Sequence, residues 1–554
     1  MTATAPAAVN IATFLAGSAR SRSDEPAMHA PVGVRGGRIR YRTHSFAELD
    51  GESDRIARGL SSLGIGRGVR TVLMVRPSFE FFALTFGLLK AGTVLVMVDP
   101  GLGVLSVKRC LAQARPEAFV GIPVAHAARV ALGWGRGTVR RLVTVGRRFG
   151  WGGATLDDVR RAGDRTPGEA QAPTSADETA AILFTSGSTG PPKGVVATHG
   201  LFVHQTRMIR EMYGIEPGEI DLPTFPLFGL YDPALGMTTV VPVMDPTRPA
   251  RVDARLIVQA IEEFRVTNMF GSPALVDRVA RYGEQAGVRL PTLRRVISAG
   301  APVPPAVHER FGRMLAPGVE IHTPYGATEA LPVATIGSAE VLGETRAATE
   351  HGAGICVGRP VEGVDVKIVR ISDDPIETWD ESLVLPAGET GEIVVSGPIA
   401  TREYLGLPEA TRLAKIADPA AGGGGLWHRM GDLGSFDEKG RLWFHGRKGH
   451  RVTTNDGRVL FSVDCEAIFD THPDVFRSAL VGVGGEPVLV VEPEQGRRGD
   501  ERLVRELLEL GARYVITRHV QRVLFHPAFP VDVRHNAKIG REKLAIWAKR
   551  ELRA

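Results

Sequence analysis

Between residues 45 and 98 the spacing of apolar residues switches period three times, and this alternation constrains the fold more than any other feature. Ser45-Phe-Ala-Glu48 has the form of a capping box, in which a Ser side chain and a Glu three residues later satisfy each other's backbone N–H groups. Leu49, Ile56, Leu60 and Leu63 follow at helical spacing, and Gly64 stands where a left-handed cap ends a helix. Residues 70–75 then predict a short strand, 78–91 a second helix, and 94–98 a buried strand closed by Asp99-Pro100. The same alternation recurs over 256–269 and 279–297, so a mixed or parallel α/β architecture is expected for most of the chain.

The 554 residues are enough for two or more domains. Residues 164–177 are polar and proline-containing, and predict a loop ahead of a buried strand at 180–184; residues 417–425 predict a second, flexible loop. After Phe444-His445-Gly446 the pattern changes to a smaller unit with short strands at 479–483 and 487–491 and a charged helix at 500–510. A hinge is therefore expected near residue 447, dividing a domain of residues 1–446 from one of residues 447–554.

Several functional classes are disfavoured. The net charge of +5 is small and scattered, which argues against a nucleic-acid binder. The three cysteines are far apart and lack CxxC spacing, so neither a disulfide framework nor a zinc site is expected, and a reducing cytoplasm fits best. The N-terminus lacks the basic and apolar regions of a signal peptide. The most apolar stretch, residues 81–98, is interrupted by Lys90 and Ala91-Gly92, so no transmembrane segment is expected.

The chemistry is concentrated in Thr185-Ser-Gly-Ser-Thr-Gly-Pro-Pro-Lys-Gly194, which follows an apolar strand. Its small residues leave N–H groups and hydroxyls free to meet a polyphosphate, and Lys193 supplies a counter-charge. Only ten of the 67 basic residues are lysines, which makes one inside a motif conspicuous. Counted from Gly187, a Walker A loop would need glycine at Pro192 and Ser or Thr at Gly194, so a P-loop NTPase is disfavoured. Taken alone, the loop is also compatible with a solvated connector.

TSGSTGPPKG resembles the signature loop of the adenylate-forming superfamily, which includes acyl-CoA synthetases, luciferases and peptide synthetase adenylation domains. Further segments resemble that family in the expected order: Ser298-Ala-Gly-Ala-Pro302, Tyr325-Gly-Ala-Thr-Glu329, Gly391 to Gly397, His428-Arg-Met-Gly-Asp432, Gly446-Arg-Lys448 and a late lysine, Lys538. The resemblance implies a large N-terminal domain of layered α/β subdomains and a small mobile α+β C-terminal domain, with ATP and Mg²⁺ at their junction. It implies that Thr185, Ser186, Gly187, Ser188, Thr189, Gly190 and Lys193 hold the β- and γ-phosphates. Thr328 would contact the α-phosphate, Glu329 would hold Mg²⁺, and Lys538 would approach the α-phosphate and the substrate carboxylate. Gly300, Ala301, Pro302 and Tyr325 would bind adenine, and Asp432, with Arg447 beside it, would bind the ribose. Singly, Glu329, Asp432 and Arg447 are equally readable as a helix-terminal acid, a turn residue and a surface charge.

Departures from the general family are informative. An acyl-CoA synthetase usually has histidine after Pro-Leu-Phe, where this chain has Gly229, and residues 452–466 fit the pantetheine-side pattern only with an insertion. The run Phe529-Pro-Val-Asp-Val-Arg-His-Asn-Ala-Lys538, together with Asp221 to Pro226, Asp245 to Pro249 and Trp443 to Lys448, resembles the β-lactone synthetases of long-chain olefin biosynthesis. That resemblance implies adenylation of a 2-alkyl-3-hydroxy fatty acid and closure of a β-lactone by its own hydroxyl. It also implies other enzymes of the olefin pathway as partners, and no nucleic acid. The alternatives are a fatty acyl-CoA or acyl-AMP ligase and a nucleotide-binding sensor without catalysis. Among His199, His204, His322 and His535 no base for the hydroxyl is distinguished.

Overall fold

The computed structural model describes residues 8–184, 191–421, 424–532 and 538–553. The expected helix and strands of the N-terminal region form where the pattern places them. Ser45 caps the helix Phe46–Ser62 with both hydrogen bonds of the box made, Ser45 Oγ accepting from the Glu48 N–H and the Glu48 carboxylate from the Ser45 N–H. Gly64, at φ +77°, follows the end of this helix. The strand Arg70–Met74, the helix Phe79–Lys90 and the strand Val94–Met97 complete the unit. Lys90 is 1% exposed, and its ammonium reaches back to the carboxylates of Asp50 and Asp54 on the first helix. This charge, which breaks the apolar run, is thus an ionic clamp between two packed helices.

Among the described residues, one sheet has seven strands and another fourteen. In the first, Arg70–Met74 lies between parallel strands Val94–Met97 and Ala118–Gly121, and the antiparallel pair Thr179–Phe184 and Gly194–Thr198 closes one edge. In the second, a parallel region containing Ile220–Pro223, Asn268–Gly271, Arg295–Ser298 and Glu320–Ala327 passes into an antiparallel region through Ala330–Gly337. Parallel strands are buried on both faces and read as continuous apolar runs. The antiparallel region, which includes Gly391–Ser396, Gly425–Phe436 and Leu442–Arg447, is a continuation that the alternation of strands and helices does not signal. Part of the expected loop at 417–425 is ordered: Lys415–Asp418 pairs along Gly425–Phe436, because Ile416 buries its side chain against Trp427 and Val394.

The last hundred residues form their own apolar core, with Cys465, Phe469, Leu480, Leu489 and Leu503 at its centre. Val475–Val483 pairs antiparallel with Glu486–Pro493, which the helix Glu501–Ala512 covers. A polar chain links this unit to the large sheet. Ser435 Oγ lies 2.9 Å from His445 Nε2, and His445 Nδ1 lies 2.9 Å from the Asp464 carboxylate on the helix Ser462–Phe469. All three residues are buried. Arg541 and Glu466 pair nearby, and His450 Nε2 lies 3.1 Å from Glu542.

Among the described residues no helix is long and apolar enough to cross a membrane.

Candidate active site

The carboxyl ends of the parallel strands, the turn at Thr328-Glu329 and the first residues after Arg447 surround one cavity of about 2770 Å³. Clefts outside the carboxyl ends of parallel strands are where α/β sheets place ligands, since the loops there are free of the sheet's own pairing. Lys193, Thr328, Glu329 and Lys538 line it, as do Tyr325, Asp432 and Arg447. Gly300, Ala301 and Pro302 form another part of the wall, just beyond the strand Arg295–Ser298, with Gly300 at φ +99°. Thr185, Ser186, Gly187, Ser188, Thr189 and Gly190 lie outside the described residues, as does His535.

The Tyr325 hydroxyl donates to Asp432 Oδ2 at 2.7 Å, and Arg447 Nε lies 3.1 Å from Oδ1 as an ion pair. Arg447 also donates to the Met430 carbonyl at 3.1 Å. Asp432 is 4% exposed, and burial raises its carboxyl pKa while Arg447 opposes the rise. The ion pair does not meet hydrogen-bond geometry, so among the described residues Oδ1 is a buried acceptor without a donor. Such an atom costs stability unless a ligand supplies the donor, and a sugar hydroxyl is a donor of the right kind.

Glu329 sits in a second polar cluster. Tyr404 donates to its Oε1 at 2.8 Å, and the Glu329 carbonyl accepts from the N–H and hydroxyl of Thr401. Lys193 Nζ stands 4.8 Å from the centre of the Tyr404 ring, within cation–π range. Lys415, anchored on Thr401, is pushed down to about 7 by burial, with Glu329 opposing the shift. Among the described residues no group of three or more His, Cys, Asp or Glu could enclose a metal ion. A single carboxylate in an anion-accepting cavity suits Mg²⁺, which keeps several waters and takes its other ligands from substrate phosphates.

None of His199, His204 and His322 lines the cavity, whereas His428 does. Its Nδ1 donates to the Ala414 carbonyl at 3.1 Å, which leaves Nε2 as the acceptor. Burial first, and Lys415 next, hold this imidazole well below its usual range, so it is neutral. His428 was visible only as part of a motif.

The other half of the cavity is apolar, with Phe81, Phe86, Leu89, Phe202 and Phe270 among its walls. Gly229 explains the departure from histidine. A Cβ there would come within 2.8 Å of Pro223 and 3.3 Å of Phe82, so the wall is closed by packing and no imidazole fits. One polar pair interrupts these walls: the Tyr231 hydroxyl donates to Gln205 Oε1 at 2.7 Å, and Gln205 Nε2 donates to the Leu331 carbonyl at 2.8 Å. Thr323, also on the wall, has a buried Oγ1 without a partner among the described residues. Tyr404, Lys415, Gln205 and Thr323 were not foreseen, because the first three act through neighbours brought in from distant segments and Thr323 stands out only once the cavity is built around it.

The model of the family described as AMP-binding enzyme matches residues 15–405. The chain belongs to the AMP-binding enzyme family. Two relatives, both olefin beta-lactone synthetases, are 51% identical to it. The one from Stenotrophomonas maltophilia (strain K279a) aligns over 98% of each chain. The one from Xanthomonas campestris pv. campestris also aligns over 98% of each chain. Among solved structures, an anthranilate CoA ligase, AuaEII, in complex with anthranoyl-AMP shares the fold, with a TM-score of 0.79 at 20% identity over 99% of each chain. The likeness to the adenylate-forming superfamily, and within it to the β-lactone synthetases, therefore holds over nearly the full length of this AMP-binding enzyme.

Proposed function

We propose that the chain uses ATP to adenylate a 2-alkyl-3-hydroxy fatty acid and then closes a β-lactone, releasing AMP and pyrophosphate. The observation that carries this reading is the meeting of Lys538, from the C-terminal unit, with Asp432, Glu329 and Lys193 around one cavity, in a chain 51% identical to olefin β-lactone synthetases.

A carboxylate oxygen attacks the α-phosphorus, the bond from that phosphorus to the bridging oxygen breaks, and pyrophosphate leaves. Anions converge in this step, so fixed cations and oriented donors lower its barrier more than they favour ground-state binding. Lys538 neutralises charge at the α-phosphate and the acid, Thr328 donates to that phosphate, and Lys193 balances the outer phosphates. Asp432 takes the ribose hydroxyls through Oδ1, which accepts no hydrogen bond among the described residues, with Arg447 fixing its orientation and Tyr325 beside the base. Glu329 would hold Mg²⁺, which when bound supplies charge neutralisation on the phosphates.

In the second step the 3-hydroxyl oxygen bonds to the acyl carbon, the carbon–oxygen bond to AMP breaks, and the hydroxyl proton is released. The nucleophile is already attached to the acid, so orientation replaces a second substrate. The Tyr231–Gln205 pair, in a largely apolar wall, offers the hydroxyl a fixed polar neighbour. Mass spectrometry of products from a synthetic 2-alkyl-3-hydroxy acid with ATP and Mg²⁺ tests the reading. A lactone formed without CoA supports it. Turnover only of acids lacking the 3-hydroxyl, and only with CoA, would replace it by an acyl-CoA ligase.

A further inference from the structure

The helix Pro123–Leu132 is apolar on both sides. Ala125, Ala128 and Leu132 pack on the core beneath the seven-stranded sheet. Val124, Ala127, Val130 and Ala131 recur at helical spacing on the opposite side and are exposed, Val124 by 62% and Val130 by 60%. A surface helix ordinarily turns charge toward water, and a stripe of this kind marks an interaction site. The helix Val104–Ala114 packs on the same core, and its first turn exposes Leu105 by 70%. Phe149, 51% exposed, leans on Trp151, whose ring stacks on His126 of the first helix.

The segment that carries this face holds charge of one sign between Glu117 and Asp157. From Ala118 to Leu156 there are six arginines and no aspartate or glutamate. Arginines elsewhere in the chain are extensively paired with carboxylates, for example Arg160 with Glu52 and Arg441 with Asp437. Among the described residues none of these six makes an ion pair, and the consecutive Arg147 and Arg148 are exposed next to Phe149, between Gly146 and Gly150. Exposed apolar side chains bordered by unpaired arginines match a surface that is anionic at its boundary and apolar just below it. Val124 also lies on the rim of the cavity, so the apolar face is continuous with the walls that would take alkyl chains.

We propose that this face is a peripheral docking surface for an anionic phospholipid bilayer, with the helix Pro123–Leu132 lying in the headgroup layer. Docking is independent of the acid chosen for catalysis. It places the cavity rim against the phase in which long alkyl chains dissolve.

The test is sedimentation of the full chain with vesicles of phosphatidylcholine alone and of phosphatidylcholine mixed with phosphatidylglycerol. Binding is expected on the mixed vesicles only and should fall steeply with added salt. Arg147→Glu with Arg148→Glu should lower partitioning by about tenfold or more, as should Leu105→Asp with Val130→Asp. Pyrophosphate release with a short, soluble 3-hydroxy acid should be unchanged in all four substitutions, which also reports that they fold. Absence of binding to the mixed vesicles overturns the proposal, as does equal binding by the variants. Retention on polyglutamate without vesicle binding overturns it as well, and reassigns the face to an acidic protein.

Discussion

The Tyr404 hydroxyl donates to Glu329 across 2.8 Å while its ring carries the Lys193 ammonium 4.8 Å from its centre. One side chain thereby couples the lysine that follows the phosphate loop to the carboxylate assigned to Mg²⁺. Tyr404→Phe keeps the ring and removes the hydrogen bond to a charged acceptor, an interaction of about 1.5 to 3 kcal/mol. The expected result is an increase of about tenfold in the Mg²⁺ concentration needed for half-maximal pyrophosphate release. An unchanged Mg²⁺ dependence would separate Tyr404 from the metal.

Lys538 and Lys193 should fail in different ways. Lys538→Ala is expected to reduce adenylation by about a hundredfold or more while ATP affinity changes little, the behaviour of a group whose charge matters as the transition state forms. Lys193→Ala should mainly raise the KM for ATP. Pyrophosphate exchange and equilibrium ATP binding measured on both variants check the split, and parallel losses for Lys538→Ala would remove its proposed role.

Asp432→Asn keeps the shape of the side chain and removes the charge that orients Arg447. The KM for ATP should rise by about tenfold or more, as expected when a buried ion pair loses one of its charges. Steady-state kinetics over a range of ATP concentrations decide this, and an unaltered KM would place the ribose elsewhere.

Lys415 predicts a pH effect on stability. Burial lowers its pKa from 10.5 to about 7, so between those values the unfolded chain holds a proton that the folded chain has released. Stability from this group therefore rises with pH across that window and is least below pH 7. Lys415→Met should flatten the rise. Urea unfolding at pH 7 and at pH 9 measures it, and identical slopes for the two proteins would refute the assignment.

Gly229→Ala adds one carbon where Pro223 Cγ would be 2.8 Å away. A loss of about 1 to 3 kcal/mol is expected, the usual consequence of overpacking, visible as a lower thermal midpoint. Full stability in that variant would show that the wall can give way.

Local signals carried furthest where neighbours in sequence are neighbours in space. The Ser45 and Glu48 box, the short β-rich run at Arg70–Met74 and the apolar helix Phe79–Lys90 behind Ser78 are all signalled within a few residues of one another. The antiparallel continuation through Gly425–Phe436 was not legible, because its pairing with Gly391–Ser396 depends on segments thirty or more residues apart. The site divides along the same line. Glu329, Asp432 and Lys538 stand in short recognisable runs, whereas Lys415 and Tyr404 acquire meaning only when Thr401 and Glu329 are folded against them. His428 was passed over for a related reason: its neutral state comes first from burial and then from Lys415 packed near it, which no run of neighbouring residues announces.

The relay from Ser435 through His445 to Asp464 has a consequence for movement. It stitches the large sheet to the first helix of the C-terminal unit with groups sealed from solvent. Any swivelling of that unit would have to part an imidazole from a carboxylate and admit water to the gap, a cost that favours the arrangement in which Lys538 lines the cavity.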